Sequence, residues 1–200
     1  MKKLLSLLLL LSFTIKAQDV KIGRQTWTTK NLDVTKYRNG DVIPEVKDAA
    51  VWVNLTTGAW CYYENKAENG AKYGKLYNWY AVTDHRGLAP EGYHIPSNKE
   101  FSILSENLGE FSGTQMKSTS GWDEDANGTN TVGFDGLPGG VRWGLSFQDF
   151  SFVGNIGMWW SSSKYNTEDA WSRKLNTYSQ YPTINNSTKQ NGYSVRCVKD

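Results

Sequence analysis

Pro96-Ser97-Asn98-Lys99-Glu100-Phe101-Ser102-Ile103-Leu104-Ser105-Glu106-Asn107-Leu108-Gly109 carries the clearest secondary-structure signal in the chain. Ser97 followed three residues later by Glu100 is a capping box. The Ser97 hydroxyl can accept from the Glu100 amide while the Glu100 carboxylate accepts from the Ser97 amide. Phe101, Leu104 and Leu108 then share one face at helical spacing, and Gly109 supplies the stop. A second helix is predicted over 75–82, where Leu76, Trp79 and Tyr80 recur at i, i+3 and i+4. Outward from these two helices the chain reads as strands and turns. Val20-Lys21-Ile22-Gly23-Arg24-Gln25-Thr26-Trp27 is a hairpin around a Gly-X pair, Asn39-Gly40 marks another turn, and Trp60-Cys61-Tyr62-Tyr63 is a short buried strand. The segment 112–131 is polar and glycine-rich, hence loop. Strand-like runs follow at 140–143, 157–162, 170–175 and 192–199, separated by turn residues. In the last of these, Tyr193, Val195 and Cys197 share one face and Ser194, Arg196 and Val198 the other. The fold class predicted is α+β, with two short helices, small antiparallel sheets and a loop-rich second half.

The first residues stand apart from this pattern. Met1-Lys2-Lys3 is basic, 4–15 is apolar over about twelve residues, and Lys16-Ala17-Gln18 offers a cleavage zone. Twelve residues fall short of the roughly 20 that span a bilayer. They have the length and flanks of a secretory signal peptide, so residues 1–17 are expected to be removed and 18–200 to form one domain. No second apolar stretch exists and no cysteine stands at the cleavage zone after the apolar run, which argues against a membrane span or a lipid anchor. Lys2, Lys3 and Lys16 leave with the leader. The 22 basic side chains therefore fall by three against 20 acidic ones, and the net charge of +2 becomes about −1. A chain so balanced has no electrostatic footprint for nucleic acid. Its aromatic load is high, with 9 Trp and 11 Tyr, all beyond the leader. Such rings serve as core or as a contact platform.

Two cysteines in an exported chain, Cys61 and Cys197, leave two alternatives open: one disulfide or two buried thiols. Asp123-Glu124-Asp125-Ala126-Asn127-Gly128 matches the first half of a calcium loop, with Asp123, Asp125 and Asn127 as candidate donors. The twelfth position, which requires an acid, is Phe134, and no helix follows, so no metal and no cofactor is assigned. The two histidines, His85 and His94, lie in no zinc spacing. Ser161 to Ser163 lacks the Gly-x-Ser-x-Gly elbow. His94 is expected to pack beside the start of the capped helix.

Several strings, taken in order, carry a resemblance. The opening hairpin with Lys30-Asn31-Leu32, then Trp60-Cys61-Tyr62-Tyr63, Tyr73-Gly74-Lys75-Leu76-Tyr77-Asn78-Trp79-Tyr80 and Pro90-Glu91-Gly92-Tyr93-His94-Ile95-Pro96-Ser97 come first. Leu137-Pro138-Gly139-Gly140, Trp159-Trp160-Ser161-Ser162 and Gly192-Tyr193-Ser194-Val195-Arg196-Cys197-Val198 complete the set. Together they resemble the Fibrobacter succinogenes major paralogous domain family across nearly the whole chain after the leader. Ala89 stands where many members have cysteine, which favours Cys61 pairing with Cys197. The pattern is also similar to C-type-lectin-like and formylglycine-generating-enzyme-like folds. The oxidase chemistry of the latter uses a cysteine pair near the C-terminus, and only Cys197 is present there.

The resemblance implies an exported or surface protein, non-enzymatic, that recognises a glycan or a cell-surface protein. The alternatives are a polysaccharide-acting enzyme and a structural surface protein of a paralogous set. Binding residues in such a scaffold belong on the second half. The aromatic candidates are Trp143, Trp159, Tyr165, Trp171 and Tyr178, with Arg142, Asp149 and Asp169 as polar partners. Because Trp159 and Trp160 are consecutive, one of them should face inward.

Overall fold

Gly23, at φ +60°, closes the first hairpin between β1 (Asp19–Ile22) and β2 (Gln25–Thr28). The conformation is one that a residue without Cβ adopts freely. The computed structural model describes residues 19–145 and 149–200, so the leader read at 1–17 lies outside the described residues. Next come α1 (Ala49–Trp52), β3 (Trp60–Cys61), a 3-10 turn (Tyr63–Asn65), α2 (Ala67–Tyr73), β4 (Leu76–Tyr77), α3 (Trp79–Val82) and β5 (Tyr93–His94). They are followed by α4 (Asn98–Leu108) and α5 (Ser112–Met116). The second half supplies β6 (Gly139–Arg142), β7 (Phe150–Val153), β8 (Ile156–Lys164), β9 (Asp169–Asn176) and β10 (Thr183–Thr188), and β11 (Val198–Lys199) ends the chain. The class is mixed α+β and mostly β.

The capping box forms as the spacing predicts. Ser97 Oγ accepts from the Glu100 amide at 3.2 Å, and Glu100 Oε2 accepts from the Ser97 amide at 2.8 Å. Other expectations need correction. The run 75–82 is not one helix. Leu76 and Tyr77 pair with Cys61 and Trp60 as β4, and only Trp79–Val82 is helical. A three-residue coincidence of spacing cannot separate a helix from a short strand whose partner is distant in sequence. Three further helical segments (α1, α2 and α5) join α4, so the two-helix expectation is too low, and α5 occupies the start of the expected 112–131 loop. The second half is strand-rich rather than loop-rich. Its five-stranded sheet has the order β10-β9-β8-β6-β7, and the β6–β8 contact is parallel, at Gly140 opposite Gly157. A second sheet, β1-β2-β11-β5, joins the opening hairpin to the last strand.

β8 is central in the large sheet and both its faces are covered. Met158 and Trp160 enter a cluster with Tyr77, Tyr193 and Cys197. Trp159 points the other way, into a cluster with Trp27, Phe101 and Phe134. A third cluster gathers Trp52, Cys61, Tyr63 and Leu76. Residues 192–198 run between the cores and are buried throughout. Cys61 and Cys197 are both buried free thiols in different clusters, which corrects the expected bridge in favour of the alternative reading. Burial pushes both thiols up to about 12, so neither is a reactive thiolate near neutrality.

His94 sits beside the start of α4, as expected, and there it joins β5 to the chain end. Its ring nitrogens contact Asp200 Oδ1 and Glu100 Oε1, each at 2.7 Å. Burial opposes its charged form, but the hydrogen bonds from Asp200 and Glu100 and their charges win, raising its pKa above 6.5. For Glu100 burial again opposes charge, while the Ser97 amide, His94 and the Ser97 hydroxyl pull its pKa below 4.5. The signs differ. The His94 contribution is complete below about pH 6.5 and is lost as pH rises through the raised folded value. The Glu100 contribution is present above about pH 4.5 and is lost as pH falls through the lowered one. The network is thus strongest between those limits. Urea midpoints across pH should show stability declining by about 1 kcal/mol or less above pH 6.5. In His94→Gln that decline should disappear; an unchanged decline in the variant would assign it elsewhere.

Candidate functional site

A groove of about 670 Å³ lies on the five-stranded sheet. Strands from 139–188 build it, so its walls come from positions scattered along the second half. One end carries Trp143 and Phe152, packed edge to face with centroids 6.1 Å apart. The floor includes Met158 and Tyr193, and the far wall Lys174 and Asn186. Among the described residues, the Trp143 indole N–H, the Asn186 amide and the Lys174 ammonium donate no side-chain hydrogen bond. Asp169 also lines the groove, its two oxygens accepting from Thr188 Oγ1 at 3.3 Å and Asn166 Nδ2 at 3.1 Å. Asn191 is already engaged. Its Oδ1 accepts from the Gly144 amide at 2.8 Å and its Nδ2 donates to Tyr193 Oη at 2.8 Å.

Phe152 holds an unusual backbone. Its φ is +68°, and opposite it in the β6–β7 pair Gly140 has φ +69°. For glycine this costs nothing, whereas for an aromatic residue the left-handed region is strained by about 1–2 kcal/mol. Such strain persists only where surrounding structure enforces it, and it concentrates at functional sites. Here it turns an aromatic ring, half exposed, toward the Trp143 end of the groove.

Of the eight residues singled out from sequence, Trp143 and Asp169 line this groove. Arg142 and Asp149 lie behind it, as structure. Arg142 is fully buried between the rings of Trp52 and Phe150. Its Nε donates to Asp149 Oδ1 at 2.7 Å, Nη2 reaches Asp149 Oδ2 at 3.3 Å and the Lys47 carbonyl at 2.9 Å, and Nη1 donates to the Val46 carbonyl. The Trp143 amide donates to the Asp149 carbonyl at 2.8 Å, so this ion pair fixes the segment that carries Trp143. Trp159 is core, 1% exposed, with its indole N–H on Asn31 Oδ1 at 2.8 Å; as a contact platform it is ruled out by burial. Tyr165 and Trp171 pair edge to face at 4.7 Å away from the groove. Tyr178 is 81% exposed and donates to Glu124 Oε1 at 3.3 Å.

The acidic loop does not gather into a cage. Asn127 Oδ1 accepts from the Trp122 amide and Asp123 Oδ2 from Asn155 Nδ2. Among the described residues no group of three or more His, Cys, Asp or Glu side chains converges to hold a metal. No described helix is long and apolar enough to cross a membrane.

Sequence reasoning missed Phe152, Met158, Lys174, Asn186 and Tyr193 as groove residues. The available signal for Asn186 was 183–188, six residues free of Gly and Pro that could have been read as a strand. Compared with known protein families, residues 20–199 match the one described as the Fibrobacter succinogenes major domain. No curated protein and no solved structure matches the chain.

Proposed function

The chain belongs to the Fibrobacter succinogenes major domain family, and from that premise we propose that it is an exported, non-enzymatic module. It recognises a glycan or a protein at or beyond the bacterial cell surface, as one domain in a C-type-lectin-like arrangement whose terminal strands meet in one sheet. The observation that carries this reading is the groove, which joins aromatic rings to unengaged polar donors. Trp143 and Phe152 offer the apolar faces on which a sugar ring stacks, while Asn186, Lys174 and the Trp143 indole offer donors for hydroxyl oxygens. That mixture favours a glycan. Asp169 is the one carboxylate on the wall among the described residues, so the pair that glycoside hydrolysis employs is not brought together there.

The test is binding of residues 18–200 to glycan arrays, insoluble polysaccharide and surface-protein extracts. Trp143→Ala is expected to weaken binding at least tenfold, about 1.4 kcal/mol. Phe152→Gly should weaken it similarly while leaving stability within about 1 kcal/mol, because relief of backbone strain offsets the lost ring contact. Capture of a protein but of no glycan would reassign the ligand class. Failure to bind in all three formats, or binding indifferent to both substitutions, would overturn the proposal.

A further inference from the structure

A second cavity, of about 310 Å³, opens between the loop after α5 and the turn after β9, and it shares no lining residue with the groove. Three lysines in the described structure are buried: Lys75, Lys117 and Lys189. Two of them are satisfied by protein. Lys75 pairs with Asp33 and lies over the rings of Trp60 and Tyr62. Lys189 donates to the carbonyls of Asn166 and Thr167. Lys117, on the wall of this cavity, differs. It is 4% exposed, and among the described residues its Nζ has no hydrogen bond and no carboxylate partner. Its contact is the Trp122 ring, 5.0 Å from Nζ to the centroid. Burial alone pulls its pKa below the ordinary value.

A second unmet group stands on the same wall. Thr177 Oγ1 is buried and has no hydrogen-bond partner. Buried polar groups are nearly always satisfied, so the Thr177 hydroxyl, orphaned beside a lysine that has no acceptor in the described protein, calls for an explanation. A cation and a hydroxyl without acceptors are the complement of an acceptor that is absent from the protein itself.

We propose that this cavity binds a small carboxylate, with the Lys117 ammonium as its counter-ion and the Thr177 hydroxyl as a second donor. The rest of the wall bounds the ligand's chemistry. Asn127, Gln180 and Thr114 are neutral amides and a hydroxyl, suited to a hydroxylated acid. Asp125 is the acidic member of the lining. One cation and one carboxylate leave the lining neutral by itself, so a monoanion adds one uncompensated charge and a dianion such as phosphate adds two, which favours the monoanion.

The test uses residues 18–200 with isotope-labelled lysine, titrated at constant ionic strength with acetate, glucuronate and inorganic phosphate. Acetate and glucuronate are expected to shift the Lys117 ε resonance and to raise Tm by mass action, with phosphate without effect. Lys117→Met should abolish the Tm response to both carboxylates. Its own Tm should rise by about 2–4 °C, because a partly desolvated ammonium without a counter-ion has been removed. A lysine with a purely structural role would change Tm in the opposite direction. Thr177→Val, which keeps shape, should weaken the response about fivefold. The proposal is overturned if none of the three anions moves the Lys117 resonance, if phosphate is preferred, or if Lys117→Met loses stability while keeping the acetate response.

Discussion

Arg196→Met is expected to lower stability by about 3 kcal/mol, read as a drop in urea midpoint or a fall in Tm of roughly 6–12 °C for a chain of this size. Arg196 is fully buried, and its bonds hold three separate segments together. Nε donates to Asn31 Oδ1 at 2.7 Å. Nη1 donates to the carbonyls of Thr28 at 2.9 Å and Phe134 at 2.6 Å, and Nη2 to that of Asp135 at 2.9 Å. The end of β2, the loop before β6 and the returning C-terminal segment thus share one planar fork. The cation is costly where it lies: burial pulls its pKa down to about 9. Methionine relieves that cost but leaves the carbonyls of Thr28, Phe134 and Asp135 facing a thioether, each worth about 1–3 kcal/mol when stranded, while Asn31 Oδ1 keeps the Trp159 indole. The stranded acceptors outweigh the relief. Arg196→Lys should recover little, since a single ammonium cannot reach carbonyls on both sides of the fork. A loss below about 1 kcal/mol in Arg196→Met would mean that the fork is replaceable by packing.

Asn31 is the second half of that device. It accepts from both Arg196 Nε and Trp159 Nε1, and donates to the Tyr73 carbonyl at 2.8 Å and Ser194 Oγ at 3.1 Å. Nothing in the local pattern of Lys30-Asn31-Leu32 announces this, because its four partners lie between 42 and 165 residues away. The contrast with the capping box is instructive. Ser97 and Glu100 satisfy each other within one turn, so their chemistry is visible in four consecutive residues. Gly23 is legible for the same reason. β4 and β10 are not. Leu76-Tyr77 becomes a strand because Trp60-Cys61 lies beside it. The polar run 183–188 becomes one because β9 offers six residues in register, Thr183 opposite Lys174 through Thr188 opposite Asp169. Tertiary pairing overrides local preference at both places.

The same separation of local from distant information explains the site. Aromatic content pointed to a platform in the second half, and Trp143 and Asp169 do reach the groove. Which ring stays outside is decided by the sheet, not by residue type. Arg142 and Asp149 look like ligand partners in sequence because both are charged and near Trp143. In the structure they neutralise each other and hold the backbone from which Trp143 projects. The cysteines carry a parallel lesson, since an even count is compatible with a bridge only if the fold brings the pair together, and here they fill different clusters.

Trp159→Ala and Trp160→Ala are each expected to cost about 3–5 kcal/mol, measured by urea unfolding with near-UV circular dichroism as the probe of packing. Alternation along a strand assigns adjacent residues to opposite faces, so with one face wet only one of the pair should matter. β8 has no wet face at this point. Trp160 packs at 4.4 Å centroid distance from Tyr193, and its indole N–H donates to the Tyr77 carbonyl at 2.9 Å. Trp159 lies 5.7 Å from Phe134 and holds Asn31. Each truncation opens a cavity the size of an indole in a different cluster and removes one of two donors to its acceptor, Asn31 Oδ1 or the Tyr77 carbonyl, and neither cluster can collapse without displacing the strand that both share. The two losses should therefore be similar in size. The Trp159 loss should not be independent of Arg196: Trp159→Ala and Arg196→Met each remove one of the two donors to Asn31 Oδ1, which is stranded only when both are gone, so in a double-mutant cycle they should couple by about 0.5–3 kcal/mol, whereas Trp160→Ala should add to Arg196→Met within about 0.5 kcal/mol. A Trp159→Ala variant within about 0.5 kcal/mol of the parent would show that its face is open after all, and would return Trp159 to the list of candidate contact residues.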